Sequence, residues 1–333
     1  MSRQELVGPT DVAGPAAIQL PTRAPRVGDA PALAKLMLDA YAGAVDDDGE
    51  TIEDARREVD GYFSGASGVP LLEHSWLAEA DGTVVAASLV SLYDGAPLIA
   101  YLMTAKDWKR RGLADGLLRQ SLGTLAAAGH ARARLWVTSA NDAAEQLYRR
   151  LGFSPAEQPL KRQLAIAPMM GADPLVSPWL AALHDTRRRT LEGLERIDSG
   201  ALDFRAPAEE NSIGSLLYHL AAIEADWLYA EILEGADWPP QVVAAFPADV
   251  RDERGLLSAV RDEALLDHLG RLALVGAELD RALRSMDAGN FIRERDLEDY
   301  AVTPQWVVVH LVNHEAEHRS EIGRLRAMFE GTT

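Results

Sequence analysis

The sequence predicts a mixed α/β unit followed by an all-α unit, a four-helix bundle. Three observations predict it. The chain has 333 residues, too many for one small domain and a natural length for two. In its first half, short apolar runs with strand character alternate with segments of helical period; beyond a stretch rich in Pro, Gly and Met at 167–176, only the helical period remains. Finally, 47% of the residues are hydrophobic, enough to fill two cores.

In order, residues 1–20 read as a flexible tail, with Gly8, Pro9, Gly14 and Pro15 and little apolar periodicity. Residues 18–26 suggest a first strand, confined by Pro21 and Pro25 to an edge or irregular position. Asp29 is placed to cap a helix reaching Ala42, with Leu33, Leu36, Met37 and Ala40 inward, and a second helix covers 52–63. Strands at 75–79 and 83–92 are joined by Asp81-Gly82, a good hairpin turn, and a third runs from Leu98 to Thr104. A helix at 113–128, a strand at 133–138, a helix at 143–151 closed by Gly152, and a last strand at 160–166 complete the unit, bounded at 21–166. In the second unit, 177–333, Ser177-Pro178 opens a helix to about Ile197 and Asn211-Ser212 a second that ends near Gly235. After a long connection at 236–257, a third helix spans 262–286 and Thr303-Pro304 caps a fourth, to about Phe329.

The composition excludes several chemistries. There is no cysteine, hence no disulfide, thiolate metal site or cysteine nucleophile. A net charge of −18 argues against a nucleic-acid partner. No apolar run is long enough to span a bilayer, no leader pattern opens the chain, and a cytoplasmic protein is expected.

The segment Trp108–Leu118 carries the first candidate site. An apolar strand turns through Lys109, Arg110, Arg111 and Gly112 into a helix opened by Leu113 and Ala114. Such a turn leaves backbone N–H groups unpaired at the positive end of a helix dipole, a setting that suits a phosphate. Gly112 and Ala114 are small enough for close approach, and the three basic residues add charge at the mouth. An ordinary strand-to-helix turn with solvated basic residues has the same local signature.

A second run decides between these. Lys109-x-x-Gly112-x-Ala114 resembles the Arg/Gln-x-x-Gly-x-Gly/Ala loop of GNAT acetyltransferases, with Lys in place of the usual Arg or Gln. Asn141-Asp142-Ala143-Ala144-Glu145-Gln146-Leu147-Tyr148-Arg149-Arg150-Leu151-Gly152-Phe153 resembles the Asn-x-x-Ala-x-x-Leu-Tyr-x-x-Leu-Gly-Phe run of the same family. The resemblance implies the GNAT mixed-sheet acyltransferase fold, acetyl-CoA as donor, and its pyrophosphate on the loop 110–114. It further implies Asn141 on the cofactor side, Tyr148 as general acid toward the leaving thiolate, and the N–H groups of Met103 and Thr104 on the thioester carbonyl. From spacing alone Tyr148 reads rather as a core aromatic, and only the motif's context favours the acid; Asn141 is equally a helix cap, a role that can coexist with the cofactor contact. No general base is assigned: Glu79, His74 and Asp94 are candidates beside a base acting through water. The acceptor is expected to be a small-molecule amine.

The second candidate site lies on the last helix. His314 and His318, four residues apart, share a face, and His219 lies in the apolar run Leu216–Leu220. Three converging imidazoles suit a divalent metal, zinc first, with nickel or iron as alternatives; a bundle with a few hydrogen-bonded histidines is the competing reading. The pattern over 177–330 resembles the DinB/YfiT-like family, with one histidine on the second helix and a His-x-x-x-His pair on the fourth. Asn313, His314, His318 and Arg319 follow it; Ser320 and Glu321 depart from the Gly-Gln that often comes next. His310 is off the ligand pattern and reads as supporting or core. The resemblance implies a metal domain that in some relatives transfers low-molecular-weight thiols. Such a thiol S-transferase with an accessory acetyltransferase is one alternative function; the other makes one half a non-catalytic binding or dimerisation module. Both families often form homodimers, and the sequence leaves the oligomeric state open.

Overall fold

The computed structural model describes residues 3–12, 18–43, 49–138, 140–156, 169, 171–206, 211–252, 255–297 and 299–332. The chain divides into two compact units, Met1–Ala165 and Ile166–Thr333.

The first unit is a sheet with helices on both faces. Its strands are β1 (Arg3–Pro9), β2 (Thr22–Arg23), β3 (Val69–Pro70), β4 (Trp76–Ala80), β5 (Thr83–Tyr93), β6 (Ala96–Thr104), β7 (Arg132–Thr138) and β8 (Ser154–Pro155). They are ordered β2-β4-β5-β6-β7-β1-β8, with β3 pairing β5. All pairings are antiparallel except β6 with β7. The helices are α1 (Ala30–Tyr41), α2 (Ile52–Phe63), α3 (Leu113–Ala127) and α4 (Asp142–Arg150). α3 packs on the face carrying Ser88, whose Oγ lies 2.8 Å from that of Ser121. α2 packs on the other, where Tyr101 donates to Glu58 and the buried Tyr62 hydroxyl donates to Val90 O.

Residues 3–9 correct the expected tail. They pair with β7 along their whole length and bury Leu6 and Val7. The glycine that reads as a loop signal is a packing requirement: a Cβ on Gly8 would lie 2.6 Å from the Phe153 ring. The expected strand at 18–26 shrinks to Thr22–Arg23 between the two prolines. Asp29 occupies the cap position of α1 without capping it, because its carboxylate takes Arg23 and the Arg26 N–H instead. The expected strand at 160–166 lies outside the described residues.

The second unit has four long helices, α5 (Ser177–Gly193), α7 (Ile213–Asp226), α9 (Leu265–Arg284) and α11 (Pro304–Glu330). Leu180, Leu228, Val275, Leu279, Val307 and Leu311 belong to their common core. α7 continues through a π-helical turn, Trp227–Ile232. Short helices α6 (Ser199–Asp203), α8 (Pro240–Ala245) and α10 (Ala288–Ile292), with the pair β9 (Arg295–Asp296) and β10 (Ala301–Val302), fill the connections. α5 stops short of Ile197, and its cap position is Val176; Ser177 Oγ instead accepts the Met169 N–H at 2.7 Å. α9 begins at Leu265, later than the periodicity suggests. The Arg187 side chain joins all four long helices: from α5 it donates to Glu224 of α7, Glu315 of α11 and Leu272 O of α9. No helix among the described residues is long and apolar enough to cross a membrane.

Candidate functional site

In the first unit the site is built on β6. Its register against β5 shifts between Leu89 and Val90, whose partners are Tyr101 and Ile99, so Ala100 is an extra, bulged residue. Toward β7 the ladder holds a single pair, Leu98 with Arg134. Beyond it the C-terminal half of β6 has no strand on that side among the described residues. Ala105 N–H donates to Val85 O at 2.9 Å. Because successive N–H groups of a strand alternate sides, that of Met103 faces β5, while those of Leu102 and Thr104 face the opening. Of the two donors expected from sequence, Thr104 is therefore free to meet a ligand and Met103 is turned into the sheet. Leu102, absent from the expectation, takes its place.

The loop after β6 makes a short turn at Lys106–Trp108 and then two left-handed residues, Arg110 (φ 63) and Gly112 (φ 78). Gly112 holds the cap position of α3, and open space surrounds the place a Cβ would take. Among the described residues nothing accepts from the N–H groups of Arg111, Gly112, Leu113 or Ala114. Left-handed residues interleaved with ordinary ones turn such N–H groups toward one point, an anion-binding concavity. Arg110 and Arg111 are exposed, the latter with its guanidinium 4.6 Å above the Trp108 ring. Lys109 is elsewhere. Its ammonium donates to Ala40 O at 2.7 Å, and Lys106 N–H donates to Asp39 at 2.8 Å, so these two residues pin the loop to the end of α1. Lys109 thus ties the loop to α1.

α4 follows β7. Asn141 caps it, with Oδ1 accepting the Ala144 N–H at 3.2 Å. Tyr148 is buried on its inner face, its ring centroid 6.1 Å from that of Phe153. Of the base candidates, Glu79 pairs with Arg23 at 2.6 Å, and His74 is buried 3.7 Å from Glu73. Asp94 lies in the turn before β6, a nine-residue strand, and so sits at the end opposite Thr104. A pair that sequence reasoning missed joins β6 to α2. The Tyr101 hydroxyl donates to Glu58 at 2.7 Å, and burial followed by the Glu58 carboxylate raises the Tyr101 pKa.

The second unit brings His219, His314 and His318 together, one potential ligand atom of each lying within 4.8 Å of the others. His219 Nε2 and His314 Nε2 are 3.1 Å apart. Two metal–nitrogen bonds of 2.0–2.1 Å in a tetrahedron span about 3.3 Å, so this spacing suits lone pairs directed at one ion. His219 is pushed down to about 3, by burial and then by His314 and His318. His314 is pushed down to about 4, by burial and then by His318 and His310. Both are therefore neutral at physiological pH, the form that ligates. His318 Nδ1 lies 3.2 Å from Glu321, which in turn accepts from Asn211 at 3.1 Å. A carboxylate on Nδ1 leaves Nε2 as the ligand atom. No motif marks this support; Glu321 is visible in the sequence only as a residue one turn beyond His318. His310 is outside the cluster, stacked between Trp306 and His314 with ring centroids 5.4 and 5.7 Å away.

Residues 72–155 match the family model of the acetyltransferase (GNAT) domain, and residues 182–322 that of the DinB superfamily. The chain thus carries a GNAT acetyltransferase domain followed by a DinB domain. No curated protein matches it. Solved structures similar to part of it include a GCN5-related N-acetyltransferase from Sphaerobacter thermophilus, with 22% identity over 46% of this chain and 48% of that one, TM-score 0.38. Another is the PaiA N-acetyltransferase of Thermoplasma acidophilum in complex with coenzyme A, with 16% identity over 42% of this chain and 93% of that one, TM-score 0.34. The diaminobutyrate acetyltransferase of Paenibacillus lautus shows 17% identity over 40% of this chain and 74% of that one, TM-score 0.31. The chain spans about half the length of the first of these.

Proposed function

We propose that the first unit transfers an acetyl group from acetyl-CoA to a small amine, and that the second holds a divalent metal ion, zinc by preference, on His219, His314 and His318. The observation that carries the first statement is the run of unpartnered N–H groups from Arg111 to Ala114, beside a strand pair that opens after Leu98 and Arg134.

Acetyl-CoA supplies the activated thioester. The N–H groups at 111–114, with Arg110 and Arg111 in front, hold its pyrophosphate by charge-assisted hydrogen bonds. The opening between β6 and β7 admits the pantetheine arm, and the buried Thr104 Oγ1, which lacks a partner among the described residues, offers it a polar contact. The N–H groups of Leu102 and Thr104 donate to the carbonyl oxygen and stabilise the charge that gathers there. As the amine nitrogen bonds to the carbonyl carbon and the C–S bond breaks, the Tyr148 hydroxyl gives its proton to the sulfur. Water takes the proton released by the amine.

The metal domain admits a second reading. In the thiol S-transferase alternative His219, His314 and His318 would hold the ion, which would supply charge to keep a low-molecular-weight thiol as its thiolate. The chain's own part is to keep His219 and His314 neutral and His318 oriented.

Calorimetric titration with acetyl-CoA, beside a Gly112→Trp variant, tests the donor site; micromolar binding lost in the variant supports it, and no binding by the wild type ends it. With an amine panel and free thiol as readout, Tyr148→Phe should lower kcat about 10²- to 10⁴-fold. Full activity in that variant removes the acid assignment. His314→Ala should abolish metal binding and leave acetyl transfer unchanged.

A further inference from the structure

On α11 the residues Trp306, His310, His314 and His318 recur every four positions, and their rings form an unbroken series with centroids 5.4, 5.7 and 4.6 Å apart. α7 and its π-helical extension run alongside. His219 meets the two lower histidines, and Trp227 meets His310 at 4.7 Å, Trp306 at 5.6 Å and Tyr300 at 6.5 Å. The upper end of the series is open: Trp306 is 51% and Tyr300 46% exposed. Because both rings meet Trp227, they form one contiguous apolar patch rather than two scattered residues, the kind of feature that marks an interaction site.

The charged groups that act on Tyr300 are acidic: Glu231, Asp226 and Asp299. The Tyr300 hydroxyl donates to Glu231 at 2.6 Å. Glu231 is 7% exposed, and its Oε2 is buried with no hydrogen-bond partner among the described residues. Asp226 stands at the exposed rim, one residue before Trp227. Neither carboxylate has an ion-pair partner among the described residues, and burial raises the pKa of Glu231. A carboxylate held in a low-dielectric place without a cation is costly, and the same place favours any cation that arrives. The faces of tryptophan and tyrosine attract cations as well, because their quadrupole is negative there. A π-helical turn, a feature concentrated at functional sites, sets Trp227 and Glu231 on this surface.

We propose that Trp227, Tyr300, Trp306 and His310, with Asp226 and Glu231, bind the alkylammonium head of a small organic cation. Trp306 is eight residues from His314, about 12 Å along the helix axis. A molecule of that length would present its other end to the histidine cluster. The site does not depend on the cluster's holding an ion, and it is independent of the acetyl-transfer site.

Choline is a suitable probe, with 3,3-dimethylbutan-1-ol as its uncharged isostere, titrated into the full chain and followed by tryptophan fluorescence and calorimetry, with and without added zinc. Choline should bind saturably and about tenfold more tightly than the isostere. Trp306→Ala, at an exposed position where the fold tolerates truncation, should weaken choline at least fivefold; Trp306→Phe should restore most of that loss, and Asp226→Asn should narrow the gap between the two probes. Equal affinity for both probes, or choline binding indifferent to Trp306→Ala, overturns the assignment. Loss of zinc binding with choline binding intact would count against the metal reading alone.

Discussion

Replacing Arg187 with Met tests how the second unit is held together. Its guanidinium donates to Glu315 at 2.9 Å and to Leu272 O at 3.0 Å, and also to Glu224. The side chains of Glu224 and Glu315 are only 8% and 7% exposed. Methionine fills most of the volume, so packing is nearly kept and the effect is electrostatic: two buried carboxylates lose the cation that pairs with both among the described residues. Removing one partner of a buried pair costs about 3–5 kcal/mol. In a domain of this size that lowers Tm by roughly 6–20 °C. The deficit has a characteristic pH dependence. Burial already raises the Glu224 pKa; without Arg187 it rises further. A carboxyl whose folded pKa exceeds its unfolded one binds more protons folded than unfolded, so stability falls as pH rises above the ordinary carboxylate range. The gap between variant and wild type should therefore be widest near pH 7 and shrink toward pH 5, in metal-free melts followed by far-UV circular dichroism. Arg187→Met/Glu224→Gln/Glu315→Gln should recover much of the loss. A single variant within 3 °C of wild type at pH 7, or a deficit flat from pH 7 to 5, refutes the account.

Three further outcomes are expected. Gly112→Ala, at φ 78 with open space around it, should cost about 1 kcal/mol of stability from backbone strain and weaken acetyl-CoA binding less than Gly112→Trp does; urea unfolding and calorimetry read the two effects. His268 is 1% exposed, and burial pushes it down to about 4. The unfolded chain then binds the extra proton first, so stability is present above pH 6.5 and falls as pH drops toward 4, by about 3 kcal/mol; His268→Leu should flatten that segment of the stability–pH curve, and an unchanged slope would show that His268 is not its source. Glu321→Ala should weaken zinc about 10- to 100-fold in chelator competition, whereas Glu321→Gln, which can still accept from His318, should lose less; equal affinities in all three proteins would mean that Glu321 does not orient the ligand.

What the sequence revealed of the first unit follows the range of the interactions involved. The alternation of strand and helix, Gly112 at the start of α3 and Gly152 after α4 are encoded by neighbours in the chain, and each lies where periodicity and turn chemistry put it. β1 was missed because a short segment with a glycine and a proline looks like a tail until its partner is known. Its strand identity comes from β7, more than a hundred residues away, and its glycine answers to Phe153. Lys109 shows a related limit: a lysine beside two arginines reads as one more surface charge, and its bond to the end of α1 is not visible locally. The side to which an N–H points is likewise set by register, so Leu102 could not be told from Met103 before the pairing of β5 with β6 was known.

The second unit shows the same division more sharply, because helices carry a face in their sequence. Spacing by four places His314 and His318 on one side of α11, and a lone histidine in the apolar stretch of α7 is enough to suggest the third member. The groups that make the cluster usable are polar residues on solvent-leaning faces, Glu321 and Asn211, and nothing local separates them from ordinary surface residues. Arg187 is the extreme case. In the run Arg187-Arg188-Arg189, its two neighbours pair within their own helix, Arg188 with Asp185 and Glu192 and Arg189 with Asp185. Arg187 alone of the three pairs with carboxylates contributed by two other helices. Three consecutive arginines of identical composition thus take two different roles, and the phase of the helix selects which one enters the core. Helical period can say that a residue faces inward; it cannot say that a charge there is matched until the partners, 37 and 128 residues away, are in place.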